Sequence, residues 1–197
     1  MKKIFLIILL GSGVSLSALA QSTFSITYPI AIPTSGLGNF IGQASFRGIN
    51  LDYRYRIQPD IALGVNFAWN VFYEDFAKET YTLPPASLTG KQYRYSNNFP
   101  MLATATYFIA DEGEQIVPFV TLGVGTMYTR HNTDMNLYTF EREAWNFALQ
   151  PEVGIHYSVS DETALSVSVK YLNGFKAGNE ITDDQSFFAI NLGFAFH

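Results

Sequence analysis

The closing stretch of the chain alternates in side-chain character with a period of two. From Phe188 to Phe196 every second residue is large and apolar, and the residues between them are Ala, Asn or Gly. Because successive residues of a β-strand point to opposite faces, this pattern predicts a strand with one broad apolar face and one small or polar face. A water-soluble protein buries such an apolar face, whereas a barrel in a membrane turns it to lipid.

The same alternation recurs along the chain and predicts about eight strands. Pro29 lies near the end of the first, and because proline lacks a backbone N–H we expect pairing to be weakest there. The predicted strands cover residues 24–30, 48–57, 61–73, 99–109, 119–128, 145–157, 165–171 and 188–196.

The connections between these strands alternate between long and short. The long ones are predicted as polar loops at residues 34–43, 74–98, 130–143 and 173–185, and the short ones as turns at 58–60, 110–115 and 160–162. Bacterial outer-membrane barrels have short turns at the periplasmic rim and long loops outside, whereas nothing imposes such an alternation on a soluble sandwich. An even number of strands also returns both termini to one side of the membrane.

Residues 1–20 have the pattern of a secretory signal. Lys2 and Lys3 precede an apolar run, and Ala18-Leu19-Ala20 is a small-x-small cleavage site, so we expect Sec export with cleavage after Ala20. The remaining residues, 21–197, predict a single domain. Without the two lysines the formal charge falls from −5 to −7, a balance that gives no support to nucleic-acid binding. Cysteine is absent, so neither a disulfide nor a lipidated cysteine is available.

The face opposite the apolar one carries charges of both signs among many small residues. As a solvated surface its Gly and Ala content would be unexplained, whereas the narrow interior of an eight-stranded barrel requires small side chains. Charges of opposite sign could then pair inside. The predicted lumenal polar network consists of Asp52, Arg54, Arg56, Gln150, Glu152, His156 and Lys170.

Aromatic residues concentrate at the predicted strand ends, as expected for the two interfacial belts of a membrane barrel. The belt beside the long loops comprises Trp69, Tyr73, Tyr128, Trp145 and Tyr171, and the belt beside the short turns comprises Tyr55, Tyr107, Tyr157 and Phe196.

In these patterns the chain resembles the small outer-membrane barrels of Gram-negative bacteria of the OmpA-barrel and OmpX type, from Phe24 to His197. The resemblance implies an all-β fold, an eight-stranded antiparallel up-and-down transmembrane barrel with short periplasmic turns and long extracellular loops. It also implies a location in the outer membrane, contact with lipid and lipopolysaccharide, and recognition of the last strand by the barrel-assembly machinery. That family typically ends on an aromatic residue, which Phe196 matches, although His197 follows it.

The strongest candidate for an ion-pair network in the lumen is Glu152 with Arg54 and Arg56. It resembles the internal ion pairs of the OmpA-type barrel. It predicts either a gate for a narrow ion path or, as we favour, a salt bridge that fills a packed lumen. The expected function is therefore a non-enzymatic barrel whose external loops serve adhesion, partner contact or envelope integrity. The alternative is a small pore or hydrophobic-ligand transporter of the OmpW kind.

The segment His156-Tyr157-Ser158 resembles the His-x-Ser of lipid A deacylases of the PagL type. Ser and His two apart on a strand share a face, but His156 is predicted to point into the lumen at the periplasmic end, far from outer-leaflet lipid. We therefore expect no catalytic residues, and the sequence predicts no cofactor or metal site.

Acidic and aromatic residues in the predicted loops are interpreted as solvated surface with anchors suited to contact with an extracellular or envelope protein. They are Asp75, Glu79, Asp134, Glu141, Glu143, Glu180, Asp183 and Asp184, with Tyr81, Tyr93, Tyr95, Tyr138 and Phe140.

Overall fold

The computed structural model describes residues 22–197 except 84–85, 112, 136 and 177–179. In this part of the chain eight antiparallel strands form a closed up-and-down barrel, each paired with its neighbours in sequence and the last with the first. The predicted fold class is confirmed. The predicted signal lies outside the described residues.

The strands differ in length, and those in the middle of the chain are the longest. A short helix, α1 (Ser35–Phe40), follows the first strand. The strands are β1 (Ser22–Thr34), β2 (Gly48–Arg56), β3 (Ile61–Leu83), β4 (Ala86–Phe108), β5 (Ile116–Met135), β6 (Tyr138–Ser160), β7 (Thr163–Gly174) and β8 (Gln185–Phe196). No helix among the described residues has the length and hydropathy needed to cross a membrane.

The apolar face of each strand points outward. Phe188, Ile190, Leu192 and Phe194 of β8 are all exposed, while Asn191 between them is buried inside the barrel. Exposed and buried residues alternate in the same way through β1, β5 and β7. The outer surface is therefore a continuous apolar band, which is suited to lipid and not to water.

The barrel closes through β1 and β8 in an uninterrupted register from Phe24 opposite Phe196 to Thr34 opposite Ser186. The expected weakness at Pro29 concerns the pairing with β2 and does not affect the closing pair. Ala31 donates its N–H to Ser45 O on the β2 side of β1, so the N–H that Pro29 lacks would have pointed to that side too. The β1–β2 ladder already ends at Thr27, so the proline removes no hydrogen bond from the closing pair.

Two of the predicted long loops are wrong, because the strands continue beyond the membrane band. β3 extends to Leu83 and β4 begins at Ala86, so most of residues 74–98 is a hairpin and not an irregular loop. β5 and β6 likewise replace the predicted loop 130–143 and approach each other at Met135 and Tyr138. Beyond the membrane the outer face of a hairpin meets water and not lipid, so the apolar alternation that marks a strand disappears, although the backbone pairing continues.

The predicted loop 34–43 is also wrong in part, because it contains α1. Leu37 and Ile41 are fully buried and pack against Phe72 and Phe187, so this segment lies across the extracellular end of the barrel. We use "extracellular" for the end that holds α1 and the long hairpins, and "periplasmic" for the end with the short turns. The last predicted loop remains irregular in its described residues, between Gly174 and Gln185.

A substitution at Gly193 tests how closely β1 and β8 approach where the barrel closes. A Cβ at this residue of β8 would lie 2.1 Å from the carbonyl oxygen of Ile26 in β1. Gly193→Ala should therefore force the closing strands apart and lower the free energy of unfolding by about 1–3 kcal/mol, as measured by heat-induced unfolding in detergent. Gly42→Ala is the matched control, because the nearest atoms to its added Cβ lie 3.9 Å away. Equal unfolding midpoints for the two variants would contradict the close approach.

Candidate functional site: a layered lumen and an extracellular cup

The periplasmic layer of the lumen consists of aromatic rings and cations. The guanidinium of Arg54 lies 4.4 Å from the ring centre of Phe119, and that of Arg56 lies 4.0 Å from the ring centre of Phe108. The His156 ring packs edge-on against Phe119 at 4.7 Å. These contacts fill the interior next to the short turns, and the ring faces attract the guanidinium groups through cation–π interaction.

The middle layer is a buried network of two acidic and two basic side chains. Arg54 lies between Asp52, at 3.7 Å, and Glu152, at 3.6 Å. Lys170 faces Glu152 across the β6–β7 pair, and its ammonium donates a hydrogen bond to Asn50 Oδ1 at 2.5 Å. All four charged side chains are at most 4% exposed, and their formal charges cancel.

The structure thus places all seven predicted lumenal residues inside the barrel. It brings Glu152 to Arg54, whereas Arg56 lies in the periplasmic layer and donates to the Pro59 carbonyl oxygen. Gln150 is fully buried beside Gly123.

The third layer is apolar and lies between the charged layer and α1. Its rings include Phe72 and Phe187, whose centres are 5.3 Å apart. The lumenal residues predicted from the sequence do not include this layer. Its signal was a run of adjacent large apolar residues, such as Phe187-Phe188, in which one side chain points in and the next points out. The buried members are Ala31, Leu37, Ile41, Phe72, Leu102, Met127, Ala148, Leu172, Phe187 and Ala189.

Above the apolar layer, a cavity of about 640 Å³ opens to the outside. We call it the extracellular cup. Its walls come from α1, the extensions of β4, β5 and β6, and the segment before β8. The lining residues are Gly36, Asn39, Phe40, Gln92, Arg94, His131, Thr133, Met135, Thr139, Phe140, Glu141, Arg142, Ile181, Thr182, Asp183 and Gln185.

Phe40 lies at the centre of the cup's polar contacts. Its ring stacks on His131 with 4.1 Å between the centres and 8° between the planes. Arg94 donates to the carbonyl oxygen of Phe40 at 2.9 Å and to Gln92 Oε1 at 3.0 Å. The guanidinium of Arg142 lies 5.8 Å from the Phe40 ring centre. Arg94 is therefore fixed beside the Phe40 ring, and Arg142 lies near the same ring.

His131 lies on β5 beyond the aromatic belt and is buried in the wall of the cup. Its Nε2 is 3.0 Å from Gln185 Oε1. Burial lowers the pKa of His131 to about 4, although the Gln185 hydrogen bond opposes that shift. The imidazole is therefore neutral at pH 7, and Arg94 and Arg142 supply the positive charge of the cup.

The aromatic belt beside the long hairpins is continuous over four strands. The ring centres of Trp69 and Phe99 are 6.0 Å apart, those of Phe99 and Tyr128 6.1 Å, and those of Tyr128 and Trp145 5.1 Å. Phe99 was missed in the sequence because its strand has a weak apolar alternation.

The remaining predicted belt residues lie on the outer face of their strands. The Tyr73 ring packs against Tyr95 with 4.9 Å between the centres, and the Tyr171 ring packs against Phe188 with 4.6 Å, both in tilted arrangements. At the periplasmic end the exposed rings are Tyr55, Tyr107, Tyr157 and Phe196.

His156 and Ser158 both line a cavity of about 480 Å³ at the periplasmic mouth. The Ser158 hydroxyl donates to the carbonyl oxygen of Glu114 at 3.4 Å, and His156 lies among aromatic rings. His197 also lines this cavity, with its Nδ1 3.1 Å from Thr23 Oγ1. The segment thus lies at the periplasmic end, as the sequence analysis expected.

The acidic side chains of the hairpins are distributed over an exposed surface. Glu141 pairs with Arg130, and Glu143 accepts a hydrogen bond from Tyr128. Within the described ranges, no three His, Asp or Glu side chains come together in an arrangement that could hold a metal ion.

A closed barrel with a lipid-facing apolar band, aromatic belts and a polar interior defines an integral membrane protein of the β-barrel class. The sequence matches the family model described as "Outer membrane protein beta-barrel domain" over residues 6–196. The chain belongs to this family, and its location is the outer membrane. No curated protein matched the sequence.

Solved structures of other outer-membrane proteins share the fold. Neisserial surface protein A (NspA) is 17% identical, with a TM-score of 0.56 over 89% of this chain and 96% of that chain. Ail, the attachment invasion locus protein of Yersinia pestis, is 14% identical, with a TM-score of 0.52 over 89% and 97%. OprG from Pseudomonas aeruginosa is 14% identical, with a TM-score of 0.55 over 89% and 94%. At these identities the likeness is one of fold.

A substitution at Glu152 tests whether the charged layer stabilises the barrel. Glu152→Ala would leave Arg54 and Lys170 buried with one counter-charge fewer, and it should destabilise the barrel by about 3–5 kcal/mol, measured from unfolding in detergent. Glu141→Ala is the control, because it breaks an exposed ion pair with Arg130 and should leave the unfolding midpoint nearly unchanged. An unaltered midpoint for Glu152→Ala would show that the charged layer does not stabilise the barrel.

Proposed function

We propose that the protein is a non-enzymatic outer-membrane barrel whose filled lumen is a rigid scaffold and whose extracellular hairpins and cup contact a partner or another envelope component. The observation that carries the proposal is the three-layer lumen. Aromatic, charged and apolar layers follow one another along the barrel axis, and each has buried side chains from several strands.

The apolar layer argues against a pore. Phe72, Phe187 and Leu172 are fully buried where a water path from the cup would have to enter the barrel. Moving an ion through such a layer carries a large desolvation cost. The OmpW-like alternative would require this layer and the ion pairs beneath it to open.

The extracellular surface supports a role in contact. Leu137 is 97% exposed and Tyr138 is 58% exposed at the tip of the β5–β6 hairpin, with Phe140 beside them. Exposed large apolar and aromatic side chains on a rigid projection are typical of protein interaction sites. Ail, which shares the fold, is named as an attachment invasion locus protein, in agreement with such a role.

A lipid-modifying enzyme of the PagL type has less support. Its candidate pair, His156 and Ser158, lies at the periplasmic mouth, and the Ser158 hydroxyl donates to a backbone carbonyl. A nucleophile there is one hydrocarbon thickness away from outer-leaflet lipid.

Single-channel recording in planar bilayers tests the closed lumen. The wild-type barrel should show no stable stepwise conductance, because the apolar layer excludes hydrated ions. The double variant Phe72→Ala with Phe187→Ala removes the two rings that face each other in this layer and should produce conductance bursts. Stable steps in the wild type would defeat the proposal and favour the pore.

Surface display tests the contact role. Cells that display the double variant Leu137→Ser with Tyr138→Ser should adhere less to immobilised extracellular-matrix proteins than wild-type cells, because the exposed apolar tip is lost. The matched control is Ile57→Ser with Val159→Ser, which changes two exposed apolar residues at the periplasmic end. Equal adhesion of the tip variant and the wild type would contradict the contact role of this hairpin.

A further inference from the structure

We propose that the extracellular cup binds an acidic saccharide, a sugar unit that carries a carboxylate, sulfate or phosphate group. This inference rests on the proposed function, because it assigns the outward-facing contact to a defined cavity. The size of the cup, its cations and its aromatic and amide lining support it independently of the hairpin tip.

The size and closure of the cup suit a small ligand from outside. Its volume of about 640 Å³ lies within the range of small-molecule sites. The apolar layer forms its floor, since Leu37 and Ile41 of the segment across the mouth belong to that layer. A ligand that enters the cup therefore remains at the extracellular end.

Arg142 gives the cup a cation that is available to a ligand. It lines the cavity, and within the described residues no side chain forms a hydrogen bond or an ion pair with its guanidinium. Arg94 is held by Gln92 and by the Phe40 carbonyl, so its position is fixed before a ligand arrives. A guanidinium fork matches the geometry of a carboxylate, sulfate or phosphate group.

The lining of the cup contains two acidic residues, Glu141 and Asp183, and two arginines. Glu141 pairs with Arg130 on the outer face of the hairpin. Arg94 lies opposite Glu74 in the β3–β4 pair, whereas Arg142 lies opposite the neutral His131 in the β5–β6 pair. Arg142 is therefore the cation that an anionic ligand would meet in the cup.

The rest of the lining matches the chemistry of a sugar. Phe40 and Phe140 offer ring surface for the C–H face of a pyranose. The buried amides of Gln92 and Gln185 already hydrogen-bond to Arg94, Met135, His131 and the Asp183 carbonyl, so they hold the wall of the cup in place. Asn39 and Thr182 also line the cavity and are exposed. Their amide and hydroxyl groups can donate and accept hydrogen bonds with sugar hydroxyls.

Acidic sugars reach this surface from two sources, the inner-core sugars of lipopolysaccharide and acidic glycans from outside the cell. The shared chemistry is an anionic group on a pyranose ring, and the two sources are separated by the ligands used in the test.

The test is titration calorimetry on the whole barrel in detergent. A disaccharide with one hexuronate should bind at least about tenfold more tightly than the same disaccharide with its carboxyl group reduced to an alcohol. Arg142→Gln should weaken binding of the acidic disaccharide by about tenfold or more. Arg47→Gln, the same charge change at an exposed extracellular residue outside the cup, should leave it unchanged. Core oligosaccharide released from lipopolysaccharide is titrated in parallel. The source is assigned to whichever of the two acidic ligands binds more tightly.

The proposal is overturned if neither acidic ligand binds, if the neutral disaccharide binds equally well, or if a folded Arg142→Gln barrel binds as the wild type does. If Arg142→Gln fails to fold, the comparison of acidic with neutral disaccharide on the wild type still decides. If the barrel binds no acidic saccharide while cell adhesion still depends on the hairpin tip, the saccharide site in the cup is contradicted and the proposed function is not. Stable channel conductance would defeat the proposed function whatever the cup binds.

Discussion

The pairing of β1 with β8 is the constraint on which the rest of the structure depends. Within a lipid bilayer an unpaired backbone N–H or C=O has no water to bind, so a sheet can cross only if its first and last strands join. The β1–β8 register runs unbroken along both strands, and Pro29 fits it because its ring nitrogen faces the side where β2 is already unpaired. Gly193 permits the close approach, since a Cβ there would meet the backbone of β1.

Closure with eight strands leaves a narrow interior that side chains fill. The inward side chains do so as three layers of different chemistry. The middle of the barrel holds Asp52, Glu152, Arg54 and Lys170, whose formal charges cancel one another. Aromatic rings cover the guanidinium groups at one end and an apolar layer closes the other. A buried charge without a partner would be strongly destabilising, so the composition of each layer is linked to that of its neighbours. This linkage makes the lumen a scaffold and places contact with other molecules outside the membrane.

Beyond the membrane, β3 to β6 continue as a four-stranded wall while the other four strands stop near the mouth. The asymmetry creates the cup. The wall supplies Arg94, His131 and Arg142, and α1 supplies Phe40 from the opposite side. Because the wall is a continuation of barrel strands, these side chains are held on hydrogen-bonded backbone, which favours a preformed site.

The sequence by itself determined the strands within the membrane, the faces they turn to lipid, the two aromatic belts and the lumenal position of residues such as Asp52 and Lys170. It could do so because alternate residues of a strand face lipid and lumen, and these two environments require different side chains. Only the tertiary structure decided that residues 74–98 and 130–143 are mainly hairpins, that α1 crosses the mouth and that Phe40 meets His131. Outside the membrane the outer face of a strand meets water and not lipid, so the apolar alternation that marks a strand is lost. Residues as distant in sequence as Phe40, Arg94 and Arg142 come together only when the barrel closes and α1 packs across its end.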